Sequence, residues 1–404
     1  MSSTAQPRRV LSGMRPTGQV HLGNYHGALR NWVDLQYQYE CYFFVADWHA
    51  LTTGYEDTAG LPELIHEMII DWLAAGLNPS VATLFVQSHV PEHAELHLLL
   101  SMITPLSWLE RVPSFKDQQE QLREKDLATY GFLGYPLLQS ADVLVYRPAL
   151  VPVGEDQVAH VEIAREIARR FNNFYGREPN FELKAERAIK ELGGRNITLY
   201  RQLRRQFQEK GDAGALERAR TLVNGNTRIT VADRERLLGY LEGNSVAILA
   251  EPRALLTATP RVPGTDGRKM SKSYGNTIGL REDPDSVARK LKGMQTDPAR
   301  VRRTDPGDPD KCPVFELHRI YSVEATRTWA ATGFRSAGIG CLECKQPLIE
   351  KVVAEVTAMR ERAREYLENP ELVNNLVAEG AEKAREAARD TLDDVRRAMH
   401  LRGD

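Results

Sequence analysis

The chain has 404 residues, 42% hydrophobic and 27% charged, with a net charge of −2. This is the balance of a globular protein with room for two or three domains, and it lacks the overall basic excess of a dedicated nucleic-acid binder. The N-terminal MSSTAQPRR has no apolar run behind its arginines, no stretch approaches 18 apolar residues, and four cysteines are too few for a disulfide framework, so a cytoplasmic protein with no signal peptide, transit peptide or membrane span is expected.

RRVLSGM is short and apolar and is broken by Pro16, Thr17 and Gly18. YHGALRNWVDLQYQY places Ala28, Trp32, Leu35 and Tyr39 on one helical side. CYFFVADWHAL is a continuous apolar run with polar residues at its end, the pattern of an interior parallel strand whose carboxyl end carries function. LPELIHEMIIDWLAAGL predicts a helix closed by Gly76 and Asn78-Pro79, and ATLFVQS predicts the next strand. The order βαβαβ argues for a doubly wound, Rossmann-like α/β domain. Further on, ADVLVY is expected to start a strand, and VPVGEDQ to be a strand ending in a turn. DQVAHVEIAREIARRF is an amphipathic helix with an acidic start and an arginine-rich end.

From about Glu178 to about Ala250 the chain is helical, charge-rich and without a catalytic constellation, which reads as a helical insertion. TATPRVPG returns to extended character and leads into KMSKS. From about Thr277 the chain is mostly helical, with LIEKVVAEVTAMRERAREYL and AEKAREAARDTLDDVRRAMHL as long amphipathic helices, and DPGDPDKCP is a hinge-like loop. The expected division is 1–177, the catalytic domain; 178–250, the insertion; 251–280, the end of the catalytic domain; and 281–404, an all-α C-terminal domain.

Two constellations carry chemistry. RPTGQVHLGNYHGAL puts His21, Gly23 and Asn24 at a helix start, where backbone N–H groups attract phosphate and a glycine lets the backbone approach closely. Taken alone, these are equally a loop histidine and a capping asparagine. KMSKS sets Lys269 and Lys272 around Met270 and Ser271, among Gly264, Gly267 and Gly275. Such lysines either clamp a polyphosphate as charge builds on leaving pyrophosphate or are a solvated basic loop. Both motifs belong at the carboxyl edge of a parallel sheet, where nucleotides bind.

HLGN followed by KMSKS resembles the paired signatures of class I aminoacyl-tRNA synthetases. With GMRPTGQVHLGNYHGALRNW, ADWHALT, YPLLQSADVLVY and VPVGEDQVAHVEIAREIARRFN, the resemblance narrows to the bacterial tryptophanyl-tRNA synthetases and covers most of the chain outside about 178–250. It implies activation of L-tryptophan by ATP with Mg2+, release of pyrophosphate, and transfer to tRNA(Trp). It also implies a homodimer and an anticodon-binding role for 281–404. His21, Asn24, Lys269 and Lys272 would be catalytic. Arg15, Pro16, Thr17, Gly23, Asn24, Gly154, Glu155, Asp156, Lys269, Met270, Ser271, Lys272 and Ser273 would meet ATP. His49, Tyr135, Gln139, Asp142, Val151, Val153 and Gln157 would meet tryptophan. Asp142 is the acid that would accept the indole N–H, a group with one donor and no acceptor. The chain departs from relatives at Arg15, where many carry glutamine, and at Gln139, where some carry methionine.

Cys312, Cys341 and Cys344 form a C-x2-C pair with a third cysteine upstream, a metal-like pattern. Some tryptophanyl-tRNA synthetases hold an iron–sulfur cluster here with a further cysteine seven residues before the pair. This chain has Phe334 at that position. Two readings follow: an iron–sulfur or zinc site completed by His318 or an external group, or a structural cysteine cluster. Cys41 lies in an apolar strand and reads as core. The competing functions are a tyrosine-specific synthetase, an inactive RNA- or protein-binding paralogue, and a small-molecule nucleotidyltransferase.

Overall fold

The computed structural model describes residues 9–112, 129–148, 150–154, 157–176, 181–243, 247–257 and 260–401. Short apolar runs form the five strands: β1 (Arg9–Met14), β2 (Glu40–Val45), β3 (Thr83–Val86), β4 (Leu150–Val153) and β5 (Arg253–Leu256). They make one parallel sheet in the order β3-β2-β1-β4-β5, a Rossmann-like α/β fold. β2 is interior and divides its side chains by the two-residue period of a strand. Cys41, Phe43 and Val45 enter one core, and Tyr42 and Phe44 enter the other.

After β1 the chain runs continuously through α1 (Leu22–Asn24), a π-helical turn (Tyr25–Leu29) and α2 (Arg30–Leu35). α3 (Asp47–Gly54) leaves β2, and α4 (Leu61–Ala75) returns to β3. Gly76 closes α4 at φ +113, where its N–H bonds back to Leu73 and Trp72, as the glycine signal predicted. α5 (Glu92–Ser101), α6 (Leu106–Glu110) and α7 (Tyr130–Val145) lead to β4, and α8 (Val158–Tyr175) follows it.

ADVLVY is not a strand. Residues Ala141–Val145 continue α7, most of whose residues are buried. An apolar run with no polar face has no period to read, so it fits a buried helix as well as a buried strand.

The segment between α8 and β5, expected as an insertion, holds α9 (Phe181–Glu191), α10 (Arg195–Lys210), α11 (Ala213–Asn224) and α12 (Val231–Glu242). These pack around a small core of their own that includes Ile189, Tyr200, Leu203, Val223, Leu237 and Leu241. α8 runs back from the carboxyl edge and β5 starts at the opposite one, so these four helices are attached at the sheet edge away from the site.

The last part contains α13 (Pro284–Gly293), α14 (Pro313–Tyr321), α15 (Glu324–Arg335), α16 (Cys341–Glu368) and α17 (Pro370–Ala398). It shares its core with the sheet. Val352, Met359 and Val373 join the cluster of Phe43 and Trp72, while Ala384, Leu392 and Val395 join that of Phe44 and Phe85. α17 lies so close to β3 that a Cβ on Gly380 would sit 1.8 Å from the Leu84 carbonyl oxygen. Only glycine fits there.

Candidate active site

β1 continues to β2 on one side and has β4 on the other, so a crevice opens at their carboxyl ends. It holds a cavity of about 600 Å³, a volume suited to a small ligand. Arg15, Asn24, His49, Tyr135, Gln139, Asp142, Val151, Val153, Gly154 and Gln157 line it together. These come from five separate stretches of sequence, and the fold brings all of them to one place. Phe44, Val143, His160 and Thr257 also line it and were not anticipated. Pro16 is buried and Thr17 exposed in the turn beside Arg15, where the Thr17 N–H donates to the Arg15 carbonyl at 2.9 Å. Glu155 and Asp156 lie outside the described residues.

Asp142 is at the buried end of the cavity and is 1% exposed. Its Oδ1 accepts from His93 Nδ1 at 2.6 Å and Gln87 Nε2 at 2.7 Å, and its Oδ2 accepts from His49 Nε2 at 2.9 Å. Burial alone would push this acid up. The hydrogen bonds from His49 and His93 outweigh burial and hold the carboxyl well below its usual range. A carboxylate offers about four acceptor positions, so these three donors leave one on Oδ2. His93 is itself fixed, because its Nε2 lies 2.7 Å from the Tyr146 hydroxyl. Burial, then the charge of Asp142, pushes Tyr146 well above its ordinary value, so it keeps its proton and donates to His93. Gln87, His93 and Tyr146 hold this carboxylate in place, directly or through one another, and motif reading missed them. The available signal was position: Gln87 is the first residue beyond β3 on the edge where sites form.

His21 is the N-cap of α1. Its Nδ1 accepts the Asn24 N–H at 3.3 Å, and Asn24 Oδ1 accepts the His21 N–H at 3.2 Å. The capping role is therefore real, and it leaves two donors free to serve a ligand. With Nδ1 accepting, the neutral ring carries its proton on Nε2, and Asn24 keeps its side-chain NH2. Burial first, and the Lys272 ammonium second, push His21 down to about 4, so the ring is neutral at pH 7. The Leu22 N–H is engaged by the Ile278 carbonyl at 3.0 Å. The backbone thus presents fewer free N–H groups than a bare helix start. Gly23 matters for a steric reason as well: a Cβ there would meet the His21 ring at 2.9 Å and Met270 Cβ at 3.3 Å.

KMSKS packs directly against HLGN. His21 and Gly279 form an antiparallel bridge, and the Lys272 chain crosses Gly18, whose added Cβ would lie 3.1 Å from Lys272 Cδ. Met270 is buried and anchors the loop, while Lys269 and Ser273 are exposed. Asn276 braces the loop from inside: it accepts the Ser271 N–H at 2.8 Å and donates to Asp266 at 2.6 Å and to the Lys269 carbonyl at 3.2 Å. Ser271 and Ser273 join their hydroxyls at 2.9 Å. Burial pushes Lys272 down to about 8, opposed by Asp71.

The cysteines do not fit a metal or cluster. Their thiols are near neighbours, but among the described residues no group of three or more His, Cys, Asp or Glu could hold a metal ion. Phe334, at the position of the missing ligand, is buried with the Arg300 guanidinium 4.6 Å above its ring. Cys344 packs with Ala330 and Ile339, and burial pushes its thiol up to about 12. His318 has Nδ1 2.8 Å from Ser322 Oγ, and its Nε2 lies 3.1 Å from the Cys344 carbonyl and 3.5 Å from the Cys344 thiol, so both ring nitrogens are engaged within the protein. The spacing left both readings open because C-x2-C puts two thiols on one helix without fixing what fills the space between them.

A family model described as tRNA synthetases class I (W and Y) matches residues 3–188 and 195–357. The tryptophan–tRNA ligase of Ralstonia nicotianae is 61% identical, covering 98% of this chain and 99% of its own. That of Thermotoga maritima is 41% identical, covering 97% and 99%. Among solved structures, the tryptophanyl-tRNA synthetase of Campylobacter jejuni complexed with ADP and tryptophan aligns with a TM-score of 0.71 at 28% identity, covering 97% of this chain and 99% of that one.

Proposed function

Because the chain belongs to the class I tRNA synthetases for W and Y, we propose that it catalyses tryptophan–tRNA ligation at the cavity between β1 and β4. A tryptophan carboxylate oxygen attacks the α-phosphorus of ATP. The bond to the β-phosphate breaks, and pyrophosphate leaves with the electron pair. A ribose hydroxyl of the terminal adenosine of tRNA(Trp) then attacks the acyl carbon, and AMP leaves.

The observation that carries the reading is Asp142. An indole has one N–H, and the buried carboxylate keeps one acceptor position at a cavity whose apolar lining includes Phe44, Val151 and Val153. A side chain without that N–H leaves the acceptor unpaired, at a cost of about 1–3 kcal/mol. His49, Gln87 and His93 position the carboxylate. Tyr135, Gln139 and Gln157 meet the polar end of the amino acid, and Arg15, Thr17, Asn24 and Gly154 lead towards ATP.

At the phosphates, His21 donates through Nε2 as a neutral group, and Lys272 and Lys269 supply positive charge to the departing pyrophosphate. Met270 holds the loop by its buried side chain, with Ser271 and Ser273 as hydroxyl donors. Mg2+ enters on the ATP phosphates, towards which the chain offers lysines and a histidine, and among the described residues no group of three or more His, Cys, Asp or Glu could hold a metal ion. The helices of 281–404 serve tRNA binding, and the enzyme acts as a homodimer in the cytoplasm. Among the described residues no helix is long and apolar enough to cross a membrane.

The test is ATP–pyrophosphate exchange with each amino acid. Exchange dependent on tryptophan and absent with tyrosine supports the assignment. Exchange with tyrosine, or none with either, overturns it.

A further inference from the structure

Asp71 lies on α4, which carries none of the residues assigned to substrate, yet it is buried with a charged partner. Its Oδ2 accepts the N–H of Val20, the residue before His21, at 3.1 Å. Its Oδ1 accepts Arg281 Nε at 2.5 Å, and the same guanidinium reaches Glu67 at 2.5 Å. The side chains of Asp71 and Arg281 are 3% and 13% exposed.

Val20 is the common node. Its N–H goes to Asp71, and its carbonyl takes the Leu280 N–H at 3.2 Å. Two further contacts continue the same seam: Leu22 N–H to the Ile278 carbonyl at 3.0 Å, and the His21–Gly279 bridge. The segment entering HLGN and the segment leaving KMSKS are thus stitched together, and Asp71 grips both. A well-packed apolar pair is often as stable as a buried ion pair, so stability alone gives little reason for a carboxylate here. A reason exists if the pair fixes geometry.

We propose that Asp71 is a positioning residue for adenylate formation: with Arg281 it sets the register between HLGN and KMSKS, and so how Lys272 meets His21 across the phosphate site. This rests on the tryptophan–tRNA ligase reading. Asp71 touches neither substrate. It acts through the Val20 N–H on one motif and through Arg281 on the other, and its charge also favours the ammonium form of the half-buried Lys272.

The experiment is Asp71→Asn in the full chain. The amide has one oxygen for the two donors: if it accepts from the Val20 N–H, the NH2 faces the Arg281 guanidinium, and if it faces Arg281, Val20 loses its acceptor. The readouts are single-turnover adenylate formation, tryptophan affinity, and transfer of tryptophan to tRNA from adenylate formed beforehand. Adenylate formation is expected to slow by about 30- to 100-fold, as for a misplacement on the order of 1 Å. Tryptophan affinity should stay within about twofold and transfer within about threefold, because the indole site and the acyl carbon lie outside the seam. Equal losses in all three steps, or adenylate formation within about threefold of wild type, would overturn the proposal. If Asp71→Asn does not fold, Arg281→Lys decides: it keeps the charge but loses the fork spanning Asp71 and Glu67, and the same selective loss is expected. Wild type is the control for the underlying reading. No tryptophan-dependent exchange by wild type sinks that reading, whereas an active wild type with an unaffected variant sinks only the role of Asp71.

Discussion

Replacing Asp142 with asparagine tests the indole assignment most directly. The amide oxygen will face His93 and Gln87, which donate to Oδ1 at 2.6 and 2.7 Å. The NH2 then takes the place of Oδ2, opposite His49 and the indole. His49 can adapt, since a neutral imidazole exchanges tautomers and accepts through Nε2. The indole N–H cannot, and it meets a donor. The loss is one charge-assisted hydrogen bond, about 1.5–3 kcal/mol, or ~10- to 150-fold in kcat/KM for tryptophan. Phenylalanine has no N–H to lose, so the tryptophan/phenylalanine ratio of kcat/KM should fall by a similar factor. Pyrophosphate exchange with each amino acid measures it. A ratio that moves by less than about threefold, or equal losses for both, would refute the assignment of Asp142 to the indole.

His21→Ala and Lys272→Ala should each lower adenylate formation by about 100-fold or more while tryptophan affinity changes little, since neither side chain lines the tryptophan cavity; proportional loss of both would contradict their roles. Lys272 is cationic below its pKa of about 8, so kcat/KM for ATP should fall as pH rises through about 8, and Lys272→Arg should move that limb upward. His21, at about 4, is neutral throughout that range and adds no inflection. Anaerobically purified protein should contain far less than one iron or zinc per chain, and a strong chelator should leave its melting temperature unchanged. Stoichiometric metal would overturn the reading of Phe334 and His318 as space-filling and occupied.

Much of this was legible in sequence where local rules dominate. β1, β2 and β3 are short apolar runs with turn residues behind them, α4 has a left-handed glycine cap, and α8 has a clear amphipathic period. HLGN and KMSKS were readable because each is a compact motif, and their meeting follows from where a parallel sheet gathers its loops. The partners of Asp142 were not readable. Gln87 and His93 sit 55 and 49 residues away in sequence, and nothing local marks a glutamine or a histidine as its donor. Asp71 is hidden for the same reason: its partner Arg281 lies 210 residues away in sequence. ADVLVY failed because burial on all sides erases periodicity, and the cysteines stayed open between two readings because spacing does not show how closely Phe334, Ala330 and Ile339 pack around them.

The contact between Gly380 and Leu84 bears on how the protein is made. α17 covers β3 and supplies side chains to the cores on both faces of the sheet, yet it is synthesised hundreds of residues after the strand it protects. Until it leaves the ribosome, the nascent chain carries every residue proposed for catalysis on a sheet with its apolar edge uncovered, the kind of surface that aggregates or recruits chaperones. Frameshifts or nonsense codons late in the message should therefore remove the whole enzyme and not merely its contact with tRNA.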